Sequence, residues 1–370
     1  MKVDELTFGQ FLNYKTEWND ALQRSGDNHI FLTWEWLSTW WEHFGDDRIL
    51  CLITVKDEGK LIAAAPLMSS SYKLAGLKLK KMEFMGTPAA DYQTFLLTEQ
   101  KEECAKMMVD YANSKALPWD CIEFVDVPED SETIKALNAC STKKLKLAER
   151  NLHICPYIIL PTKFEDYFQG LGSNWRRNMR RWEKRLKNDF KVNFCIHNNL
   201  DTLDKAMKTF FYLHQIKWES EERVGAFSDP KFRDFHLNVA RSFAEKGWLN
   251  LSFLTLNDEP VSAIYAFKYR NKMFNYLTGF DPKYSDYRVG HILFLYSIKN
   301  SIENGLREFD FMRGDESYKQ QWNTLIRNNK EVRAIKKRIV PVVYDFIKTK
   351  DSLTPLINSL GKRLSTAKIQ

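Results

Sequence analysis

The sequence lacks the residue spacings that mark several common classes of site. Its six cysteines form no CxxC pair, and no nearby histidine gives the spacing of a zinc site. No HExxH, Walker or GxGxxG pattern occurs, and no Ser/His/Asp order is recognisable. We therefore predict no metal site and no zinc-peptidase, P-loop, dinucleotide-binding or serine-hydrolase chemistry. The cysteines are expected to be buried free thiols of a reducing cytosol.

Long apolar runs are missing as well. The longest, Leu61–Met68, is far shorter than the roughly 20 residues of a membrane-spanning helix. The opening residues, MKVDELTFGQF, contain no basic region followed by an apolar stretch, so no secretory signal is predicted. With a mean hydropathy of −0.45, the chain is expected to be soluble and cytoplasmic.

The composition describes a chain that can bury more than one core. It has 370 residues, of which 44% are hydrophobic and 14% are aromatic, and this exceeds what one compact domain usually needs. The net charge is +7. This mildly basic balance suits a protein that meets phosphate groups, but it does not require nucleic acid.

The order of predicted elements is similar in the two halves of the chain. Each half reads as helix, strand, turn, strand, strand, polar loop, helix and strand. Asp57–Glu58 corresponds to Asp258–Glu259, and the loop Gly86–Tyr92 corresponds to Gly279–Tyr287. We interpret this as an internal duplication, although strand-turn-strand units also recur by coincidence in α/β folds.

The predicted fold class is therefore α/β (α+β), with two tandem lobes that are each a mixed twisted sheet flanked by helices. The predicted divisions are an N-terminal lobe (1–145), a C-terminal lobe with the active site (146–340) and a helical tail (341–370).

Three helix ends are predicted from local signals. The aromatic segment Phe31–Phe44 has helical spacing, and Thr33 is its candidate N-cap. Ser173 or Asn174 is expected to cap the basic helix that follows. Gly305 is expected to end the helix over Ile292–Ile302.

The basic helix carries an apolar stripe and a dense set of cations. Trp175, Met179, Trp182 and Leu186 recur at spacings of four, three and four. Seven cations fill the other faces: Arg176, Arg177, Arg180, Arg181, Lys184, Arg185 and Lys187. One interpretation is that the helix binds phosphate groups of a nucleotide cofactor, of RNA or of lipid headgroups. The other is a solvated face with carboxylate partners.

Residues 272–322 form the unit around which the C-terminal half is organised. A strand over Met273–Leu277 leads into the polar turn Gly279–Gly290, and a helix over Ile292–Ile302 follows. A second strand, Glu308–Met312, leads into the ionisable loop Arg313–Lys319. Polar loops at strand ends, with a helix N-terminus nearby, are a common site architecture in α/β proteins.

Two further residues have side chains suited to proton transfer. His214 lies four residues before Trp218 on a predicted helix, where a histidine is more often part of the core. Asp281 follows a strand and precedes a proline, so it is either a base or a turn-former.

These segments resemble a known family. GFDPKYSDYRVGHILFLY and REFDFMRGDESYKQQW, preceded by LHQIKW and WRRNMRRWEKRLK, resemble the CelD/BcsL-type acetyltransferases of bacterial polysaccharide biosynthesis. That family belongs to the GNAT superfamily and is similar to the FemABX aminoacyl transferases. The resemblance covers roughly residues 30–330, and GDESYKQQW is its most specific part. It implies two GNAT-like lobes in tandem.

The resemblance also implies a donor and its binding residues. Acetyl-CoA or another acyl-CoA would lie between Met273–Phe280 and Arg307–Met312, with its pyrophosphate at the N-terminus of the next helix. The implied cofactor-binding residues are Arg288, Val289, Gly290, His291 and Arg313.

Catalytic and substrate-binding roles are implied in the same way. Asp281 or His214 would act as the base, Tyr318 would reprotonate the departing thiolate, and Lys319 would stabilise negative charge. The implied substrate-binding residues are Trp218, Asp315 and Glu316. No metal is implied.

The pyrophosphate loop departs from the usual GNAT pattern, Gln/Arg-x-x-Gly-x-Gly/Ala. Tyr287, Gly290 and Ile292 stand at those positions, so one of three agrees, and Arg288 lies one residue away. This leaves two alternatives open, a FemABX-like transferase that uses charged tRNA and a non-catalytic binding protein. The acceptor is expected to be a small molecule or glycan precursor, with nucleic acid only in the tRNA alternative. Peripheral association with a membrane is left open.

Overall fold

A computed structural model describes residues 1–74, 77–114, 119–140 and 147–335 of the chain. They form two compact units. Unit 1 contains Met1–His153 together with the residues from Asn328 onward, and unit 2 is Ile154–Arg327. The predicted lobe boundaries near residues 145 and 340, and the predicted helical tail 341–370, lie outside the described residues.

Strands and helices alternate along most of the chain. The strands are β1 (Lys2–Leu6), β2 (Ile49–Asp57), β3 (Lys60–Leu74), β4 (Leu77–Phe84), β5 (Leu96–Leu97), β6 (Cys121–Pro128), β7 (Ala148–Ile159), β8 (Val192–Ile196), β9 (Leu249–Leu256), β10 (Glu259–Tyr269), β11 (Lys272–Phe280), β12 (Glu308–Asp310) and β13 (Leu325–Ile335). The α-helices are α1 (Phe8–Leu12), α2 (Lys15–Arg24), α3 (Trp34–Phe44), α4 (Lys101–Ser114), α5 (Glu132–Cys140), α6 (Phe164–Gly170), α7 (Ser173–Asp189), α8 (Leu200–Ser220), α9 (Pro230–Glu245), α10 (Val289–Glu303) and α11 (Ser317–Gln320). Three short 3-10 helices are Ile30–Leu32, Ala226–Ser228 and Pro282–Tyr287.

Unit 1 is built on a mixed sheet in the order β1-β2-β3-β4-β6-β13. The first four strands are antiparallel, β4 and β6 are parallel, and β13 returns antiparallel to β6. Strand β5 pairs with the start of β3. Alternate residues of the sheet, such as Ile53, Ala65 and Phe124, are buried against residues of α4 and α5, such as Met108 and Leu137.

Unit 2 repeats this arrangement with the order β8-β9-β10-β11-β12-β7. Again the first four strands are antiparallel, β11 and β12 are parallel, and β7 is antiparallel to β12. Its core includes Ile264 and Met273 from the sheet, Met179 from α7, and Ile292 and Ile298 from α10. The shared strand order supports the internal duplication, which stays a prediction.

The turn between the second and third strands of each sheet also has matching geometry. Glu58 and Gly59, between β2 and β3, have φ of 48° and 82°, and Asn257 and Asp258, between β9 and β10, have φ of 51° and 70°. Two successive left-handed residues match the right-handed twist of a tight hairpin. Both turns were therefore correctly located by their Asp, Glu, Asn and Gly content. The predicted correspondence of Asp57–Glu58 with Asp258–Glu259 was two residues out of register, because Glu58 and Gly59 match Asn257 and Asp258.

The local helix predictions gave mixed results. Thr33 does cap α3, because its side chain accepts a hydrogen bond from the Trp36 N–H. Gly305 does follow α10 in the left-handed conformation. The predicted cap of α7 was wrong: the N-cap is Gly172, and Ser173 is already helical. Strand β12 ends at Asp310 rather than Met312.

The predicted fold class, a mixed sheet flanked by helices, is confirmed. All six cysteines are free thiols; five are buried, and Cys195 is half-buried. Among the residues that the structure describes, no helix is both long and apolar enough to cross a bilayer.

Candidate active site

The two parallel strands of unit 2 separate shortly after they begin. Strands β11 and β12 pair at three positions, and the last pair is Phe274 with Asp310. Strand β11 continues to Phe280, but β12 ends at Asp310. Alternate residues of Asn275–Phe280 therefore direct backbone N–H and C=O groups toward an opening instead of a neighbouring strand. We call this the β11–β12 opening.

A bulge in β11 lies at the point of separation. The register with β10 shifts between Tyr265, which faces Leu277, and Ala266, which faces Asn275. Tyr276 is therefore the extra residue, and such a bulge bends a strand and redirects its side chains. The side-chain oxygen of Asn275 is buried there without a hydrogen-bond partner among the described residues.

On the other side of the opening, the chain after β12 follows β7. The N–H of Phe311 donates to the carbonyl of Pro156, and the N–H of Gly314 donates to that of Ile154, both at 2.9 Å. Met312 and Gly314 have positive φ, 61° and 125°. This backbone turns the segment along β7, so the opening stays wide beyond Asp310.

Helix α10 begins next in sequence after β11 and its 3-10 turn. Its N-cap, Arg288, is left-handed (φ 57°) and makes no side-chain capping bond. The first helical hydrogen bond joins the Ile292 N–H to the Arg288 carbonyl. The N–H groups of Val289, Gly290 and His291 therefore precede the helical pattern, which favours an anion at this end. A Cβ at Gly290 would meet only Phe280, at 3.9 Å.

An aromatic cluster borders the start of α10. The His291 ring lies 5.5 Å from Trp175, 5.7 Å from Trp182 and 6.5 Å from Tyr318. Burial, assisted by Arg288, lowers the pKa of His291 to about 4. The imidazole is therefore neutral at pH 7. The indole N–H of Trp175 is buried without a partner among the described residues, so it is a donor available to a ligand.

Lys319 closes the loop after β12. Its ammonium donates to the carbonyls of Met312 (3.3 Å) and Arg313 (2.8 Å) and pairs with Glu316 (2.9 Å). A Cβ at Gly314 would lie 2.9 Å from the Lys319 Nζ. The predicted charge-stabilising lysine is therefore engaged by its own loop in this structure. Arg313 is half-buried, whereas Asp315 and Glu316 are exposed.

Tyr318 packs on α10. Its ring lies 5.5 Å from Phe294. Burial, assisted by Glu316, raises the pKa of Tyr318 above its ordinary value. The phenol therefore keeps its proton at neutral pH.

Helix α8 packs directly on β11. A Cβ at Gly279 would lie 2.4 Å from the backbone nitrogen of His214, so the helix contacts the strand through backbone. The Nε2 atom of His214 accepts the indole N–H of Trp218 at 2.9 Å. Burial lowers the pKa of His214 to about 3, with a smaller contribution from Lys217. Both facts leave His214 neutral, with its basic nitrogen engaged.

Asp281 lies at the far end of β11. One carboxylate oxygen accepts the Lys283 N–H at 2.9 Å and begins the 3-10 turn. The other oxygen has no partner within the described residues. The structure thus places Arg288, Gly290 and His291 at the start of α10, with Tyr318 beside them, whereas His214 and Trp218 lie on α8.

Sequence reasoning did not identify Lys217 or the bulge at Tyr276. Lys217 was noted only as part of LHQIKW, although a single cation between apolar residues on a helix is a usable signal. Within the described residues, no group of three or more His, Cys, Asp or Glu side chains is arranged to hold a metal.

The cations of α7 are mostly exposed. Arg177, Arg180, Arg181, Lys184 and Arg185 are all solvent-accessible. Some have partial partners: the Arg185 guanidinium lies 4.5 Å over the Tyr287 ring, and that of Arg180 lies 5.2 Å over the Phe168 ring. The predicted apolar stripe faces the core at two of its four positions, since Met179 and Leu186 are buried.

Comparison with known proteins agrees with this geometry. Residues 173–320 match a family model described as an acetyltransferase (GNAT) domain, and GNAT domains use acyl-CoA. No curated protein sequence matches the chain.

Three solved structures share the fold across nearly the whole chain. The chain is similar to FemX, with a TM-score of 0.65 and 12% identity over 93% of this chain and 100% of that chain. It is similar to the C-terminal domain of a putative lysylphosphatidylglycerol synthetase from Agrobacterium fabrum, with a TM-score of 0.55 and 9% identity over 93% and 97% of the two chains. A conserved protein of unknown function from Bacteroides thetaiotaomicron gives a TM-score of 0.53 and 11% identity over 91% and 100%. The chain therefore has a GNAT-type acyltransferase fold.

Proposed function

We propose that unit 2 transfers an acyl group from acyl-CoA, most simply acetyl-CoA, to an amine of its acceptor. The proposed acceptor is a sugar, nucleotide-sugar or peptide precursor in cell-envelope or polysaccharide biosynthesis, as in the CelD/BcsL-type enzymes that the sequence resembles. We propose a cytoplasmic location and no metal. The observation that supports this reading is the β11–β12 opening next to the uncapped start of α10.

The pyrophosphate and the thioester arm of acyl-CoA each have a matching feature in unit 2. The pyrophosphate would accept hydrogen bonds from the N–H groups of Val289, Gly290 and His291, and Arg288 would add positive charge. The thioester arm would enter the β11–β12 opening, where unpaired backbone N–H groups of β11 can stabilise a developing oxyanion. Arg313 is the further proposed contact of the cofactor.

The proposed reaction is direct attack by the amine. The nitrogen bonds to the thioester carbon, the C–S bond breaks, and the departing thiolate takes the phenolic proton of Tyr318. The ammonium proton of the acceptor goes to a base, for which Asp281 offers a carboxylate oxygen without a partner. His214 is the weaker candidate, because its Nε2 already accepts from Trp218. We propose that Lys319 holds the loop that presents Tyr318, and that Asp315, Glu316 and Trp218 border the acceptor.

Isothermal titration with acetyl-CoA tests the donor. Wild-type protein should bind it in the micromolar range, and Arg288→Ala should weaken binding. Absence of binding at high micromolar concentration would exclude an acetyl-CoA enzyme. Release of free thiol with candidate amines then measures transfer, which Tyr318→Phe should slow strongly without unfolding the chain.

The exposed cations of α7 support a second candidate, a FemABX-like transfer from charged tRNA. In that case tRNA binding should fall steeply with salt, and Arg180→Ala and Arg181→Ala should each reduce the steepness. Lys187→Ala is a matched control, since Lys187 already pairs with Glu183 at 2.5 Å. A flat salt response would exclude this candidate. A protein that binds neither donor would favour the non-catalytic alternative.

A further inference from the structure

Helix α8 packs on the part of β11 that lies beyond its last pair with β12. Its backbone at His214 contacts β11 at Gly279. Lys217, three residues later, lies within electrostatic reach of Glu316 and Lys319, which belong to the loop after β12. Lys217 is therefore carried by the part of α8 that borders the unpaired end of β11.

Lys217 differs from the other cations around it. Lys319 is bound by two carbonyls and by Glu316. Arg223 pairs with Glu221 at 3.8 Å. Lys217 forms no ion pair among the residues that the structure describes, and its nearest partner is the Trp218 ring, 4.9 Å from the ammonium.

Lys217 lies among charges of both signs. Arg223 and Lys319 repel its ammonium, whereas Glu221 and Glu316 attract it. Burial lowers the pKa of Lys217, and the two carboxylates only partly offset that effect. A half-buried cation that forms no close ion pair among the described residues is costly on its own. A ligand anion would supply the missing partner.

We propose that Lys217 binds an anionic oxygen group of the acceptor, a carboxylate or a phosphate, at the mouth of the β11–β12 opening. This inference rests on the proposed function, because it assigns the acceptor to that opening. The Trp218 ring supports Lys217 and Arg223, whose cationic groups lie 4.9 Å and 4.4 Å from the ring centre. Lys217 would then select acceptors that carry a negative charge near the reacting amine.

The first experiment measures anion binding without turnover. Inorganic phosphate is titrated at constant ionic strength, and the shift in melting temperature is compared for wild type, Lys217→Gln, Lys217→Arg and the control Lys208→Gln. Lys208 is exposed on the same helix. The start of α10 also offers N–H groups to phosphate, so we expect some stabilisation in all four proteins. We expect a larger shift in wild type, Lys217→Arg and Lys208→Gln than in Lys217→Gln. No shift in wild type, an equal shift in Lys217→Gln, or loss of the shift in Lys217→Arg would overturn the proposal.

The second experiment separates this inference from the proposed function. Acetyl-CoA binding should be the same in Lys217→Gln and wild type, since α10 is unchanged. Acetyl transfer to glucosamine and to glucosamine 6-phosphate, and to cadaverine and lysine, distinguishes phosphate from carboxylate. The preference for the anionic member of a pair should fall about tenfold in Lys217→Gln, with the change in KM rather than kcat. If acetyl-CoA does not bind at all, the proposed function fails, while the phosphate titration still decides the role of Lys217.

Discussion

Replacing Gly279 by alanine tests the contact that holds α8 on β11. The new Cβ would lie 2.4 Å from the His214 nitrogen and 2.6 Å from the Leu213 carbonyl carbon, whereas ordinary contacts begin at 3.4 Å. Both atoms are backbone, so no side-chain rotation relieves the clash. The helix must move away from the strand by about 1 Å.

We expect Gly279→Ala to destabilise unit 2 by about 2 kcal/mol, since overpacking costs about 1–3 kcal/mol and the loss of glycine freedom returns under 1 kcal/mol. For a unit of this size the melting temperature should fall by about 4–8 °C. The displacement also moves His214 and Lys217 relative to the β11–β12 opening. A shift of about 1 Å can reduce turnover roughly 100-fold, while acetyl-CoA affinity should change much less.

Gly290→Ala is the matched control. Its Cβ would meet only Phe280, at 3.9 Å, and the residue lies in the first turn of α10. Alanine there should leave stability unchanged or raise it by about 0.5 kcal/mol. Thermal unfolding measures both variants, and thiol release measures Gly279→Ala against wild type. A Gly279→Ala protein within 0.5 kcal/mol of wild type, with normal turnover, would refute the packing argument.

Three further predictions concern ionisable groups that are wholly or partly buried. Burial lowers the pKa of His214 to about 3 and of His291 to about 4, so below about pH 6.5 the unfolded chain binds more protons than the folded chain. Stability should therefore fall as the pH drops, by about 2 kcal/mol per histidine at pH 5; urea unfolding of His214→Gln should show a shallower loss, and an unchanged slope would contradict it. Arg327→Met removes bonds to Glu308 and Asp310 and should cost about 3 kcal/mol in urea unfolding, whereas a cost below 1 kcal/mol would indicate a weak surface pair. Lys319→Met should accelerate proteolysis within 312–319, and an unchanged cleavage rate would show that Lys319 does not hold the loop.

The sequence predicted the elements of unit 2 better than their junctions. Alternating apolar residues located the strands at Met273 and Glu308, and helical spacing located α10. The strand after Glu308 was predicted two residues too long, because Phe311 and Met312 continue the alternation. Their backbone instead bonds to β7, which is a tertiary contact that no local pattern encodes.

The candidate site was predicted unevenly for the same reason. The spacing of four placed His214 and Trp218 on one helix face, and the structure joins them by a hydrogen bond. It did not reveal that this bond engages the basic nitrogen of His214. The separation of β11 from β12 came from the family resemblance, because a bulge at Tyr276 leaves no mark on an apolar strand. The position of Lys217 between Ile216 and Trp218 is a signal in the sequence, but only the fold shows that it forms no close ion pair among the described residues.

The strand that completes the sheet of unit 1 has a consequence for synthesis of the chain. Strand β13 pairs with β6 through residues from Asn329 to Ile335, yet all of unit 2 precedes it. When a ribosome has made the first 153 residues, one edge of that sheet still awaits its partner. The amino-terminal unit can therefore finish folding only after the carboxy-terminal unit has been translated, and a chain cut short before Asn328 would lose a strand from unit 1.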